Sequence, residues 1–382
     1  MFSVIRYIDK RIYWTHIRYN TCKPLHICIK ECLKVWSLHE EILVVSEEVK
    51  MSASTILDVA KAAGVSVATV SRVINNSPSV RGNTREALMA VIKELNYQPN
   101  LLGRNLRRTE TRLILVLLPN IANPFYARIV KGIEDVGHKN GYHVMLCNTD
   151  SEAEREKVYL ELLKNRLVDG VIFLAPVLGR EELTEIGKRF PAVQCCEYKE
   201  GALVSHVSID NHAAAYKVTR HLISAGHKRI GMISCKGTMV SIIQRERGFK
   251  KALSDSGIDF QEDFIKYGDY SFNSGLRAAN QFMSIKNRPT AIFAISDIMA
   301  IGALRAIREN NLKVPEDIAV VGFDNITFAS MCNPTLTTIS QPKYDMGCLS
   351  MDLLLRQIKG EVKEPKDILL EYEFIIREST VK

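Results

Sequence analysis

From Thr55 to Asn96 apolar residues recur at helical spacing in three groups: Ile56, Val59 and Ala60; Val70, Val73 and Ile74; Ala87, Leu88, Val91, Ile92 and Leu95. Thr55 with Asp58 three residues on is a variant of the capping box, so a helix starts there. Gly64 supplies a tight turn and Ser66 can cap a second helix. A third is expected from near Asn83 to about Asn96, with Pro99 barring its continuation. Two short helices across a glycine turn make a helix-turn-helix.

Past Leu113 the period changes. Leu113–Leu118, His143–Cys147, Gly170–Leu174, Val193–Cys196, Arg229–Ile233, Ala291–Ala294 and Ala319–Gly322 are apolar runs of strand length, with amphipathic stretches between them. This is the βαβ rhythm of parallel sheets covered by helices. Two such halves imply two lobes and a cleft, and ligands of open α/β sheets bind beyond the carboxyl ends of the strands. There is no dinucleotide glycine fingerprint after the early strands and no phosphate-loop lysine. Nucleophile-elbow and zinc-protease spacings are missing too. The chain therefore reads as a non-enzyme with neither cofactor nor metal.

The composition, 46% apolar and 25% charged over 382 residues, is ordinary for a globular chain with room for two or three domains. The nine cysteines are scattered without metal-ligand spacing and read as free thiols of a reducing cytosol. No apolar run reaches the roughly 18 residues needed to cross a bilayer. The distribution of charge says more than its total of +8: residues 52–112 hold nine basic and four acidic side chains. That local +5 makes the head the electrostatic candidate for a polyanion partner.

Residues 1–50 differ from the rest. They hold both tryptophans, three cysteines and three histidines, and show no sustained helix or strand period. Glu47-Glu48-Val49 can be encoded GAG-GAG-GTN, which resembles a ribosome-binding sequence, and Met51 follows at a suitable distance. The expectation is a mistranslated or disordered leader; intact mass of natively expressed protein including residues 1–50 would contradict it.

The run Thr-Ile-Leu-Asp-Val-Ala-Lys-Ala-Ala-Gly-Val-Ser-Val-Ala-Thr-Val-Ser-Arg-Val-Ile-Asn, continued by Thr-Arg-Glu-Ala and Leu-Asn-Tyr-Gln-Pro-Asn, resembles the DNA-binding head of the lactose-repressor (LacI/GalR) family over more than 40 residues. The resemblance implies that Val67, Ala68 and Arg72 face the major groove, where Arg72 can bond guanine through two donors. It gives Thr55, Ser66, Thr69, Ser71, Asn75, Thr84 and Tyr97 to the DNA backbone, and places Asn100 among the DNA-binding residues. In the hinge, Asn-Leu-Leu-Gly-Arg-Asn-Leu-Arg-Arg (100–108), Leu106 matches a leucine that wedges between base pairs at a central CpG step. Gly103 stands where many members have alanine, at a helix cost of about 1 kcal/mol.

The rest of the chain also resembles this family, through Pro-Asn-Ile-Ala-Asn-Pro-Phe-Tyr (119–126), Gly-His-Lys-Arg-Ile (226–230), Ser-Asp-Ile-Met-Ala (296–300) and Val-Gly-Phe-Asp-Asn (321–325). The implied fold is a small all-α helix-turn-helix head (52–99), a hinge (100–110) and a two-lobed α/β core like a type I periplasmic binding protein (111–382). Three connections cross between the lobes near 208–210, 340–342 and 368–371. The N-lobe is then 111–209 plus 342–368, and the C-lobe 210–341 plus 369–382. Matching effector positions are Phe125, Tyr126 and Tyr270 for stacking, Arg245 and Asp324 for ligand oxygens and hydroxyls, and Ser296 with its neighbour Asp297. For Asp297 the favoured reading is a structural acid at a helix start. Where members often carry Asp-Arg this chain has Cys196-Glu197, which removes one expected ligand contact.

The expected function is a cytoplasmic, nucleoid-associated transcription regulator, a repressor. It binds a pseudo-palindromic operator as a homodimer, without membrane contact, and is controlled by a small effector. A nucleoside leads over a sugar, because the hinge glycine and Thr-Thr-Ile-Ser-Gln-Pro resemble a nucleoside-controlled member. The alternative is a solute-binding protein of the same core fold.

Overall fold

The computed structural model describes residues 54–74, 77–97 and 110–381, with the backbone of 3–8 and 11–16. Residues 1–104 and 105–382 form two compact units. In the first, β1 (Ser3–Ile8) pairs antiparallel with β2 (Arg11–His16), so this stretch holds a hairpin where no strand period was read. The helices follow as α1 (Ile56–Ala62), α2 (Val67–Ile74) and α3 (Gly82–Glu94). Thr55 Oγ1 accepts from the Asp58 amide at 3.3 Å while Asp58 Oδ2 accepts from the Thr55 amide at 2.8 Å, a reciprocal capping box. Gly64 turns the chain with φ of +65°. Val59, Ala60, Val70, Val73 and Leu88 form the small core. Ala87, expected on the inner side of α3, is exposed; the helix buries only Leu88 fully and half-buries Val91, Ile92 and Leu95.

The second unit starts with a six-stranded sheet. Its strands are β3 (Leu113–Leu118), β4 (His143–Asn148), β5 (Gly170–Phe173), β6 (Ala192–Cys195), β7 (Ser205–Ile209) and β13 (Asp367–Leu370), all paired in parallel in the order β13-β7-β6-β5-β3-β4. Alternate residues of β3 enter separate cores. Ile114, Val116 and Leu118 meet α4 (Pro124–Lys139) and α11 (Lys343–Ile358), while Leu115 and Leu117 meet α5 (Ala153–Lys164) and α6 (Arg180–Arg189). Burial on both faces is why the strand reads as an unbroken apolar run. Where α4 and α11 cross, a Cβ on Gly347 would lie 2.0 Å from the Ile129 carbonyl oxygen, so only glycine permits the approach.

The C-lobe sheet runs β11 (Ala319–Val321), β10 (Ala291–Ala294), β8 (Ile230–Cys235), β9 (Ile265–Gly268). Its helices are α7 (Asn211–Ser224), α8 (Val240–Asp255), α9 (Phe272–Met283) and α10 (Asp297–Glu309). Antiparallel β12 (Thr338–Ser340) and β14 (Glu373–Ile375) sit beside the crossings. The chain passes between lobes after Ile209, after Ser340 and after Leu370. Leu369 and Leu370, assigned above to the C-lobe, pair with Ser208 and Ile209 in the N-lobe sheet.

Strands β7, β9, β12, β13 and β14 were not expected. β7 is buried yet polar: Ser205 Oγ accepts from Gln357 Nε2 at 3.1 Å and from the Lys366 amide at 3.0 Å. Satisfied serines can be buried without an apolar signature.

Candidate nucleic-acid interface and ligand cleft

In the head, burial of Val70 and Val73 fixes which side of α2 faces out. Ala68 and Arg72, four residues apart, are exposed on that side, with Ser71 half-buried between them. Val67 is half-buried and packs against the head core, so it offers the outside less than expected. The Ser66 hydroxyl accepts from the Thr69 amide at 3.2 Å and bonds the Thr69 hydroxyl at 2.9 Å, which makes this pair a helix cap. Thr55 is likewise engaged in its capping box, and its hydroxyl donates to Asp58 Oδ2 at 2.7 Å. Thr84 and Tyr97 are half-buried, Tyr97 against the head core. Asn75, Asn100 and Leu106 lie outside the described residues.

The cleft is built from strand ends. A cavity of about 400 Å³ opens between the lobes. The chain reaches it just past the carboxyl ends of β3, β4, β6, β7, β9 and β11. Five lining residues have left-handed backbone: Asp150 (φ 51°), Ser151 (59°), Cys196 (73°), Tyr270 (64°) and Asp324 (115°). Side chains other than glycine rarely adopt that region, and such outliers gather where the surroundings enforce them. Here they turn the chain sharply off each strand and present its next side chain to the cavity.

Seven of the nine expected effector residues line this cavity: Phe125, Tyr126, Cys196, Glu197, Arg245, Tyr270 and Asp324. Phe125 and Tyr126 meet edge to face, with ring centroids 5.2 Å apart. Arg245 is buried and fixed on three sides. Its Nε donates to Asn211 Oδ1 at 2.9 Å, one terminal nitrogen donates to the Ile295 carbonyl at 2.6 Å, and the guanidinium lies 3.6 Å from the Phe323 ring centroid. Asp324 accepts from Gln341 Nε2 at 2.7 Å, while Lys343 Nζ donates to the Asp324 backbone carbonyl and, at 3.1 Å, to that of Asn325. Burial pushes the Asp324 carboxyl up to about 6, against the opposing pull of Arg245 and Lys343. Burial likewise raises the Tyr126 and Tyr270 hydroxyls and the Cys196 thiol, and the nearby Glu197 carboxylate adds to each shift.

Ser296 and Asp297 do not line the cavity. Ser296 caps α10, its hydroxyl accepting from the Met299 amide at 3.4 Å. Asp297 is fully buried inside the C-lobe, where it accepts from the Ile326 amide at 2.8 Å and the Thr338 hydroxyl at 2.6 Å. Both are turned inward by the helix start they occupy, so the structural reading of Asp297 holds. Asn211, Ser241, Asp269 and Gln341 line the cavity and were not anticipated. Each follows a strand end or opens a helix, the one signal the sequence held for them.

Glu197 does more than vacate a family contact. Its Oε2 accepts from the backbone amide of Ser241 at 3.2 Å, in the first turn of α8, which belongs to the opposite lobe. Gln244 of the same helix donates to the Tyr198 hydroxyl at 3.4 Å. The segment after β6 thus ties the lobes together across the cleft. Burial raises the Glu197 carboxyl, and contacts with Ser241 and the charge of Arg245 oppose the shift.

Comparison with known proteins follows the division into head and core. Residues 55–100 match the family described as bacterial regulatory proteins, lacI family, and residues 219–380 match a periplasmic binding protein-like domain. The chain is 40% identical over 334 residues to the HTH-type transcriptional regulator RegA of Clostridium saccharobutylicum, covering 86% of this chain and 100% of that one. It is 38% identical over 330 residues to the HTH-type transcriptional repressor CytR of Escherichia coli, with 86% and 97% covered. The lac repressor dimer bound to operator and the anti-inducer ONPF is similar in structure, with a TM-score of 0.78 at 30% identity over 86% of this chain and 100% of that one.

Proposed function

The chain belongs to the lacI family of bacterial regulatory proteins, and from that premise we propose a cytoplasmic, dimeric repressor whose affinity for a pseudo-palindromic operator is set by a small effector in the core cleft. The observation that carries this reading is the coexistence in one chain of a helix-turn-helix with an outward Ala68–Arg72 face and a cavity between two lobes. Arg72 is the base reader, and Val67 and Ala68 offer apolar contact to thymine methyls. Thr55, Ser66, Thr69, Ser71, Asn75, Thr84, Tyr97 and Asn100 position the phosphate backbone, several of them by capping the helices whose amides face it. Leu106 is the minor-groove wedge.

In the core, Phe125, Tyr126 and Tyr270 supply ring faces, while Arg245, Asp324 and Glu197 supply hydrogen bonds. Aromatic walls with a few fixed polar groups suit a nucleoside or a sugar. Since the lobes are joined by three strands, a ligand that changes their angle can alter operator affinity. That coupling is a free-energy difference and must be reciprocal. A gel-shift with a CpG-centred palindrome, with and without nucleosides and sugars, tests the reading. A shift that an effector changes is expected; no specific shift under any of these conditions would refute it.

A further inference from the structure

The cavity is lined by four carboxylates, Asp150, Glu197, Asp269 and Asp324, and among the described residues by one cation, Arg245. Arg155 pairs with Asp150, and Arg277 lies 3.7 Å from Asp269, but neither lines the cavity. A ligand therefore meets the acids first. Arg245 already gives donors to Asn211 and to the Ile295 carbonyl.

Among the helix amino ends that open onto the cleft is that of the 16-residue helix α8, where amides and the helix dipole favour anions. That seat is taken by the protein's own Glu197, reaching across from the other lobe to the Ser241 amide. Beside it the Ser241 hydroxyl is buried and lines the cavity; it lies near the Glu197 carboxylate and the Tyr270 hydroxyl but makes no well-formed hydrogen bond to either. It can serve a ligand hydroxyl.

We propose that Glu197 is a specificity-determining residue of the cleft: by occupying the amino end of α8 with a built-in carboxylate, it restricts the effector to uncharged ligands rich in hydroxyl or amino donors, and excludes their phosphorylated or carboxylated forms. This rests on the reading of the cavity as an effector site. A neutral ligand hydroxyl donates to Glu197 or Asp324 and accepts from Ser241. A phosphate in the same place meets Glu197 and Asp324 with, among the described residues, only Arg245, already donating to Asn211 and the Ile295 carbonyl, to answer it, and like charges brought together in an interface are strongly disfavoured.

The test is calorimetric titration of the full chain with matched pairs: uridine, cytidine and adenosine against their 5′-monophosphates, and ribose and glucose against their phosphates. At least one neutral member is expected to bind more tightly than its phosphorylated partner by about tenfold or more. Glu197→Gln should narrow that ratio by about tenfold, while Glu197→Asp, which keeps the charge, should preserve it. A phosphorylated ligand that binds wild type as tightly as its neutral partner, or a ratio untouched by Glu197→Gln in a variant whose melting curve shows it folded, overturns the proposal but leaves an effector site standing. Binding of no ligand of either kind removes the effector reading and the proposal with it. If Glu197→Gln does not fold, the wild-type ratio still decides.

Discussion

Replacing Asp297 separates a structural acid from a ligand-binding one. Its carboxyl is fully buried and accepts from the Ile326 amide and the Thr338 hydroxyl. Asp297→Ala strands both buried donors, and each costs about 1–3 kcal/mol. The expected loss is about 2–5 kcal/mol, a fall in melting temperature of about 2–4 °C per kcal/mol for a unit of this size. Asp297→Asn keeps an oxygen for Ile326 and offers an amide to the Thr338 oxygen, so it should cost far less.

The pH dependence sharpens the test. Burial, and then the charge of Asp324, push the folded carboxyl up to about 8. Unfolded it titrates near 4, at about the ordinary aspartate value. Between those values the folded state holds a proton that the unfolded state has released. Stability must therefore fall as pH rises through this window and level off above about 8. Asp324, raised to about 6, adds a slope of the same sign in the lower half only. Buried His206 and His221, held below the ordinary imidazole range, add a slope of the opposite sign around pH 6.5, so Asp297 is isolated by the difference between wild type and the asparagine variant at about pH 6.5 and about pH 8. If Asn costs as much as Ala, or the asparagine variant keeps the same pH dependence as wild type, the account of a buried, proton-holding acid is wrong. If Asp297→Ala leaves melting unchanged and abolishes effector binding, the residue belongs to the ligand after all.

Three further expectations follow from named contacts. Arg72→Ala should cost about 1–3 kcal/mol on operator DNA and relax specificity, as read by gel-shift; equal loss on operator and random DNA would contradict a base-reading role. Arg245→Ala removes donors from Asn211 and Ile295 as well as from a ligand, so it should lower both effector affinity by calorimetry and the melting temperature, the affinity by about tenfold or more. Unchanged melting would show that those internal bonds carry no stability. Gly347→Ala forces a methyl to within 2.0 Å of the Ile129 carbonyl oxygen and should separate α4 from α11 at a cost of about 1–3 kcal/mol, read by denaturant unfolding. A neutral result would mean the helices part easily.

The helical head could be read almost completely from the sequence. The box of Thr55 and Asp58, the Gly64 turn and the inward Val70 and Val73 are local facts, decided within a few residues of chain, and the structure reproduces each. Central strands such as Leu113–Leu118 were equally plain, because burial on both faces demands an unbroken apolar run. The edge strand Ile265–Gly268 and the strands at the crossings were not. Ile265–Gly268 is bounded by polar turns, and Ser205–Ile209 buries Ser205 by satisfying it with partners more than 150 residues away.

The cleft shows the same division. Residue identity pointed to Phe125, Tyr126, Arg245, Tyr270 and Asp324, since few residue types can stack on a ring or bond a hydroxyl. Sequence neighbours could not reveal that Asp297 faces inward while Asp324 faces the cavity, because that depends on where two distant segments, 324–326 and 338–341, pack against one helix start. Nor could they reveal that Glu197, which looked like a lost contact, reaches Ser241 across the lobes. The sequence by itself determined the head helices, the central strands and the kinds of chemistry available, because periodicity and capping act over one or two turns of chain. Only the tertiary structure decided which acids face the cavity and which meet the protein, because a carboxylate's role is set by the donors that folding brings within hydrogen-bond reach.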